Sequence, residues 1–133
     1  MNSNLLLNIG PQPDGKLPEA SLERLKGLGK WMKVYAGTIN GTTGTDIPEQ
    51  GWGVTTRTAD KVFLHVLTPS ALPSNGSVRQ LVLPFSEKVG AVKMFVDGKP
   101  LAFKVSKDGF VTISAPVDME GPDCVIELDI RKQ

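Results

Sequence analysis

From Trp52 to Ile130 the chain divides into seven short runs of strand character, each closed by turn residues, with no helical repeat among them. A segment built this way cannot bury its apolar side chains with helices; it has to pair strands and stack the resulting sheets. The runs are Trp52–Arg57, Lys61–Leu67, Val78–Leu83, Ala91–Val96, Leu101–Val105, Phe110–Ser114 and Cys124–Ile130. Thr58-Ala59-Asp60 has the length of a hairpin connection. Asp97-Gly98 and Asp108-Gly109 are the dipeptides that most readily supply the positive φ angles of a tight turn. Many short strands with regular turns predict an antiparallel β-sandwich.

The first 45 residues read differently. Leu5-Leu6-Leu7-Asn8-Ile9 is a nearly continuous apolar run stopped by Gly10-Pro11, the pattern of a strand buried on both faces, as in a parallel sheet. Asp14-Gly15 marks a turn. Pro18, with Glu19 and Glu23 behind it, supplies a preset φ and negative charge where a helix begins. Leu22, Leu25, Leu28, Met32 and Tyr35 then recur every three or four residues, which predicts an amphipathic helix from about 18 to 35. Gly27 and Gly29 each cost it ~1 kcal/mol relative to alanine, so close packing against a neighbour is expected there. Residues 37–53 are rich in Gly, Thr, Asn and Pro and read as the connection between the parts. The expected division is 1–45 and 46–133.

A chain of 133 residues, 40% hydrophobic, can bury one ordinary core but is too short for a complete (β/α)₈ barrel, which needs roughly 200 residues or more. Fifteen Lys and Arg against 14 Asp and Glu leave a formal charge of +1, no field that would gather nucleic acid or an anionic membrane surface. No apolar stretch reaches the ~20 residues of a membrane helix, and the N-terminus lacks the basic start and apolar centre of a signal peptide.

The chemistry-bearing residues are sparse. Cys124 shares an alternating face with Ile126, Leu128 and Ile130 and reads as a small core hydrophobe rather than a nucleophile or ligand. His65 is the only histidine, which makes a metal site improbable and leaves no serine triad except around itself. Asp60, Asp97 and Asp108 lie in turns, where an aspartate ordinarily bonds its own backbone, and Glu127 and Asp129 fall on the outer face of the last strand. None is assigned to catalysis, and no phosphate-binding glycine loop follows a strand, so no cofactor is expected. Trp31 and Trp52 read as packing residues between the two parts, with Trp52 retained as a possible carbohydrate contact.

One block of residues is specific. Asn4-Leu5-Leu6-Leu7-Asn8-Ile9-Gly10-Pro11, followed by Asp14-Gly15 and Pro18-Glu19, closely resembles the final barrel strand and the start of the final helix in glycoside hydrolase family 29, the α-L-fucosidases. Leu25, Gly29, Trp31 and Val34 resemble that family's helix pattern, and Ile39, Gly41 and Thr42 its following Ile-Tyr-Gly-Thr. Trp52-Gly53, Thr56 and Val62-Phe63-Leu64-His65-Val66 look like the first hairpin of its C-terminal domain. The likeness is sharp over residues 4–42, moderate to about 67, and confined to pattern beyond. Ser3, Tyr35-Ala36-Gly37 and Asn40 depart from the family and bear on loop conformation and substrate subclass.

The resemblance implies a mainly β chain: an antiparallel sandwich over 46–133, preceded in 1–45 by a strand and amphipathic helix left over from a (β/α)₈ barrel. It implies hydrolysis of α-L-fucosides with retention, by an aspartate nucleophile and a second carboxylic acid ~5–5.5 Å apart. In the family both come from earlier barrel loops, and no position here aligns with either. The expectation is therefore a C-terminal piece that is inactive alone, acts on fucosylated glycans only through the complete enzyme, packs against the catalytic barrel, and derives from an exported parent. Asn4 and Asn8 would lie near the active-site face of a whole barrel, bonding neighbouring backbone or supporting the pocket. A strand without neighbours exposes unpaired backbone, so residues 1–45 are expected to be disordered, to fold back, or to self-associate. The rival reading is an autonomous carbohydrate-binding module.

Overall fold

The computed structural model describes residues 5–119 and 121–131; Asn4 lies outside them. Helix α1 runs Glu19–Tyr35, with Pro18 at its N-terminal boundary, Glu19 in its first turn and Lys33 in its last. It continues into a 3-10 turn, Ala36–Thr38. The predicted helix is thus present nearly to the residue, but none of its residues is buried. Nothing lies within 4 Å of a Cβ placed on Gly27 or Gly29, so the close packing expected there does not occur within this chain.

The predicted strand Leu5–Ile9 is not formed: these residues have no regular structure and pair with nothing. Leu5 is 86% and Leu6 92% exposed. The cause is physical rather than local, because an apolar strand of parallel-sheet type is held by ladders on both edges, and no strand among the described residues flanks it.

The remainder forms two antiparallel sheets. Strands β1 (Thr43–Gly44), β2 (Gly53–Arg57), β3 (Lys61–Val66), β5 (Val89–Met94) and β8 (Cys124–Ile130) make one, in the order β1-β2-β3-β8-β5. Strands β4 (Val78–Pro84), β6 (Ala102–Val105) and β7 (Phe110–Pro116) make the other, in the order β4-β7-β6. Each of the seven predicted runs contains a strand, the fourth lying two residues earlier than predicted, at Val89–Met94, with Phe95 and Val96 in the turn. Thr43–Gly44, read from sequence as linker, pairs with Arg57 and Thr56 and so joins the first sheet.

Two of the three turn signals close simple hairpins: β2–β3 through Thr58–Asp60, and β6–β7 through Asp108-Gly109, with Val105 opposite Val111. At Asp97-Gly98 the turn forms, with Gly98 at φ +68°, but the pairing stops after Lys93 opposite Pro100. The chain then crosses from one sheet to the other.

Alternation decides the core. Val62, Leu64 and Val66 of β3 and Cys124, Ile126 and Leu128 of β8 face Leu81, Leu83, Val111, Ile113 and Ala115 of the second sheet. Cys124 lies in this core as its face predicted, and burial raises its thiol pKa above the ordinary value, with nearby Asp123 acting in the same direction.

Candidate functional site

The same alternation that fills the core places Lys61, Phe63 and His65 of β3, and Val125, Glu127 and Asp129 of β8, on the opposite face of the five-stranded sheet. A free outer face should be solvated, yet Phe63, His65, Val125 and Glu127 are all buried. The cover is partly the end of α1 and the turn after it. Trp31 stacks on Tyr35 with centroids 5.0 Å apart, Tyr35 stacks on Phe95 at 5.9 Å, and Phe95 meets Phe63 edge-on at 5.8 Å. Four rings thus join the helix to the sheet, each contact in a geometry that aromatic quadrupoles favour. Burial raises the Tyr35 hydroxyl pKa, and Cys124 and Asp123 raise it further.

Beside the rings runs a buried polar chain. Thr38, fully buried, donates through Oγ1 to the Tyr35 carbonyl at 2.8 Å. Its own carbonyl accepts from Thr56 Oγ1 at 2.6 Å. Thr56 Oγ1 lies 3.1 Å from His65 Nε2, and His65 Nδ1 lies 2.9 Å from Asp123 Oδ2. Hydroxyl, imidazole and carboxylate stand in the order of a nucleophilic triad. The arrangement does not serve as one, because the Thr56 proton is committed to the Thr38 carbonyl and His65 is only 4% exposed. Sequence reasoning singled out His65 but missed Thr56 and Asp123; Asp123 precedes β8, and no local pattern brings it to β3.

Glu127 is on the outer face of the last strand as expected but not exposed: it is 5% accessible and held by Lys61 Nζ at 2.5 Å and Lys93 Nζ at 3.3 Å. Burial alone would raise its pKa, yet the hydrogen bonds and charges of the two lysines hold it below the ordinary glutamate value. This is a structural ion cluster rather than an acid poised to donate a proton.

The turn aspartates make different contacts. Asp60 Oδ1 accepts from the Thr58 hydroxyl and Asp97 Oδ1 from the Lys99 amide, while Asp108 lines a small cleft with Phe85 and Glu87. Trp52 is 6% exposed within the sandwich core, packed among its residues rather than at the junction of the two parts. Trp52, the residue read from sequence as a possible carbohydrate contact, thus lies with its ring among core residues. Asn8 is exposed on the unpaired segment. Among the described residues, no group of three or more His, Cys, Asp or Glu could hold a metal ion, and no helix is long and apolar enough to cross a membrane.

What the surface does offer is a large open cleft of about 1060 Å³, bounded by Leu5, Ile39, the Asn40–Thr45 loop, Ile47 and the strand Val54–Thr56. It lies where the N-terminal segment, the connecting loop and β2 meet. Exposed apolar residues occur in both parts: Leu5, Leu6, Leu7, Leu22, Leu28, Val34 and Ile39 in the N-terminal part, and Leu67, Val82, Val96, Val105 and Phe110 in the sandwich.

Comparison with known proteins gives a consistent outcome. Residues 1–37 match the family model described as Alpha-L-fucosidase. The Alpha-L-fucosidase of Branchiostoma floridae is 32% identical over 117 residues, which is 85% of this chain and 25% of that protein. That of Dictyostelium discoideum is 26% identical over 128 residues, 94% of this chain and 25% of that protein. The chain thus spans about a quarter of the length of the curated relatives it matches. The crystal structure of the Thermotoga maritima alpha-fucosidase superposes with a TM-score of 0.73 at 30% identity, covering 94% of this chain and 30% of that one.

Proposed function

We propose, on the premise that this chain is α-L-fucosidase-like and corresponds to the C-terminal portion of such a glycoside hydrolase, that it serves as the structural part of a retaining enzyme acting on terminal α-L-fucose. In this reading residues 1–45 are the last strand and helix of the catalytic barrel with their linker, and 46–133 are the sandwich that buttresses it. Nucleophile and acid/base come from barrel loops, and the chain by itself is not catalytic.

The observation that carries this reading is the contrast between the two parts. The sandwich has a closed core, whereas α1 buries none of its residues and Leu5–Ile9 stands unpaired. An apolar run of parallel-strand type and an apolar helix stripe need the two flanking strands and the neighbouring helices that a barrel provides. The matched solved structure supports the same reading, since this chain covers only 30% of it.

The test is turnover of an aryl α-L-fucoside by this chain alone, and again after co-expression with a barrel polypeptide from a related α-L-fucosidase. The expected outcome is no hydrolysis alone and a stable complex with the barrel. Clear hydrolysis by the chain as sole protein would overturn the proposal. So would a glycan array showing specific sugar binding together with no barrel association, which is the behaviour of an autonomous carbohydrate-binding module.

A further inference from the structure

An asparagine followed by glycine is open to attack by its own backbone, because glycine has no Cβ to shield the nitrogen that reacts. The chain holds two such pairs, Asn40-Gly41 and Asn75-Gly76, each followed by a hydroxyl residue and each exposed. Space does not distinguish them: nothing lies within 4 Å of a Cβ placed on Gly41 or on Gly76. Hydrogen bonding separates the two.

At Asn75 both reacting groups are committed. The carboxamide oxygen accepts from the Ser77 amide at 3.1 Å and the Val78 amide at 3.0 Å, an Asx turn that fixes the side chain. The Gly76 amide donates to Ser74 Oγ at 3.2 Å, and the Asn75 amide closes the loop on the Val78 carbonyl at 3.2 Å. At Asn40 the backbone amide alone is held, by the Ala36 carbonyl at 2.7 Å. Among the described residues neither the Asn40 carboxamide nor the Gly41 amide has a hydrogen-bond partner.

We propose that Asn40-Gly41 is a site of spontaneous covalent modification, at which the folded chain converts Asn40 to aspartate and isoaspartate, while the hydrogen bonds around Asn75 protect the second pair.

The step needs only water. The Gly41 nitrogen, its proton lost to solvent base, attacks Asn40 Cγ. The new N–Cγ bond closes a succinimide ring, the Cγ–Nδ2 bond breaks, and Nδ2 leaves as ammonia with a proton from water. Water then opens the ring at either carbonyl, giving aspartate, or isoaspartate with the main chain routed through Cβ and Cγ. For Gly76 to attack in the same way, its bond to Ser74 must break and the carboxamide must leave two amides, and each net hydrogen bond lost slows the reaction. Those amides also polarise the Asn75 carboxamide, which favours attack, but only by a nitrogen free to turn toward it. Asn8 gives the contrast in sequence: it is exposed and outside regular structure, yet the branched Cβ of Ile9 shields the next nitrogen.

The position gives the change its effect. Residues 36–42 are the covalent path from α1 to β1, and Asn40 lines the open cleft together with Thr43 and Glu49. Conversion places a carboxylate in that cleft. As isoaspartate it also lengthens the main chain within the turn where the Thr42 amide and hydroxyl both bond the Ile39 carbonyl. This inference concerns the chain's own chemistry and does not depend on the enzymatic reading.

The experiment is incubation of the full chain at mildly alkaline pH, with each asparagine followed by peptide mass mapping and isoaspartate counted with an isoaspartyl methyltransferase. Asn40 is expected to convert about tenfold or more faster than Asn75, the factor that one to two net hydrogen bonds command. Asn8 should also lag behind Asn40. In urea, where the shared Asn-Gly sequence is all that remains, the rates at 40 and 75 should converge. Ser74→Ala, which frees the Gly76 amide, should speed Asn75 about threefold or more and leave Asn40 unchanged. Equal rates at 40 and 75 in the folded chain, Asn75 reacting first, or Asn40 persisting in the folded chain while it converts in urea overturns the proposal. So does a Ser74→Ala chain in which Asn75 reacts no faster.

Discussion

Gly53 shows how a single residue fixes a junction. A Cβ at this position would stand 1.8 Å from the His65 carbonyl oxygen, at a backbone φ of +157°. Backbone crowds it because the preceding carbonyl, of Trp52, accepts from both Leu67 and Thr68 amides and draws the two strand ends together. Gly53→Ala is therefore expected to destabilise the sandwich by ~3 kcal/mol or more, read as a lowered urea midpoint with unchanged slope. Glu127 gives a pH prediction. Its carboxyl pKa is lowered on folding, so its stabilising contribution is present above the ordinary glutamate value and lost as pH falls below 4.5. Unfolding free energy should decline on acidification through that range. Glu127→Gln should flatten part of the decline at a cost of about 1–3 kcal/mol at neutral pH, because it leaves two lysines without their partner. An acid limb unchanged in the Gln variant would remove Glu127 as its source.

At the scale of elements, helix and strand identities were legible and their partners were not. The three- and four-residue spacing from Leu22 to Tyr35 placed α1, and alternation placed the strands, because both periods are local properties of the backbone. Leu5–Ile9 carried an equally clear strand pattern and formed no strand, since a strand is completed by hydrogen bonds to other segments. The Asp97-Gly98 turn was legible for the same local reason; that it sends the chain to the opposite sheet was not. The helix glycines supply a test of the unfilled surface. With open space at both positions, Gly29→Ala should raise the helix content and stabilise the chain alone by ~1 kcal/mol. If a barrel helix packs closely there, as the proposed function requires, the same substitution should weaken association with the barrel partner. Gain in the first measurement with no loss in the second would count against close docking at this face.

For the molecule as a whole, the two parts differ in what holds them. The sandwich is closed around its own core, and the N-terminal part touches it through the chain of four aromatic rings, the Thr38–Thr56 bond and the short β1 ladder to β2. Heating should therefore melt the helical circular dichroism signal before the sheet, and addition of a barrel partner should merge the two transitions. A single coincident transition in the chain alone would show that the rings and hydrogen bonds couple the parts more tightly than their contacts indicate.

The sequence by itself determined the elements: periods of 3.6 and 2, proline and glycine punctuation, and the apolar face of each strand, Cys124 included. It also carried the resemblance, through Asn4–Gly15 above all. The tertiary structure alone decided which strands neighbour each other, that Trp52 is enclosed rather than presented, and that Asp123 reaches His65 across 58 positions of chain. Local pattern follows from the geometry of adjacent peptide units. A polar contact between distant segments depends instead on how the sheets stack, which no short stretch of residues contains.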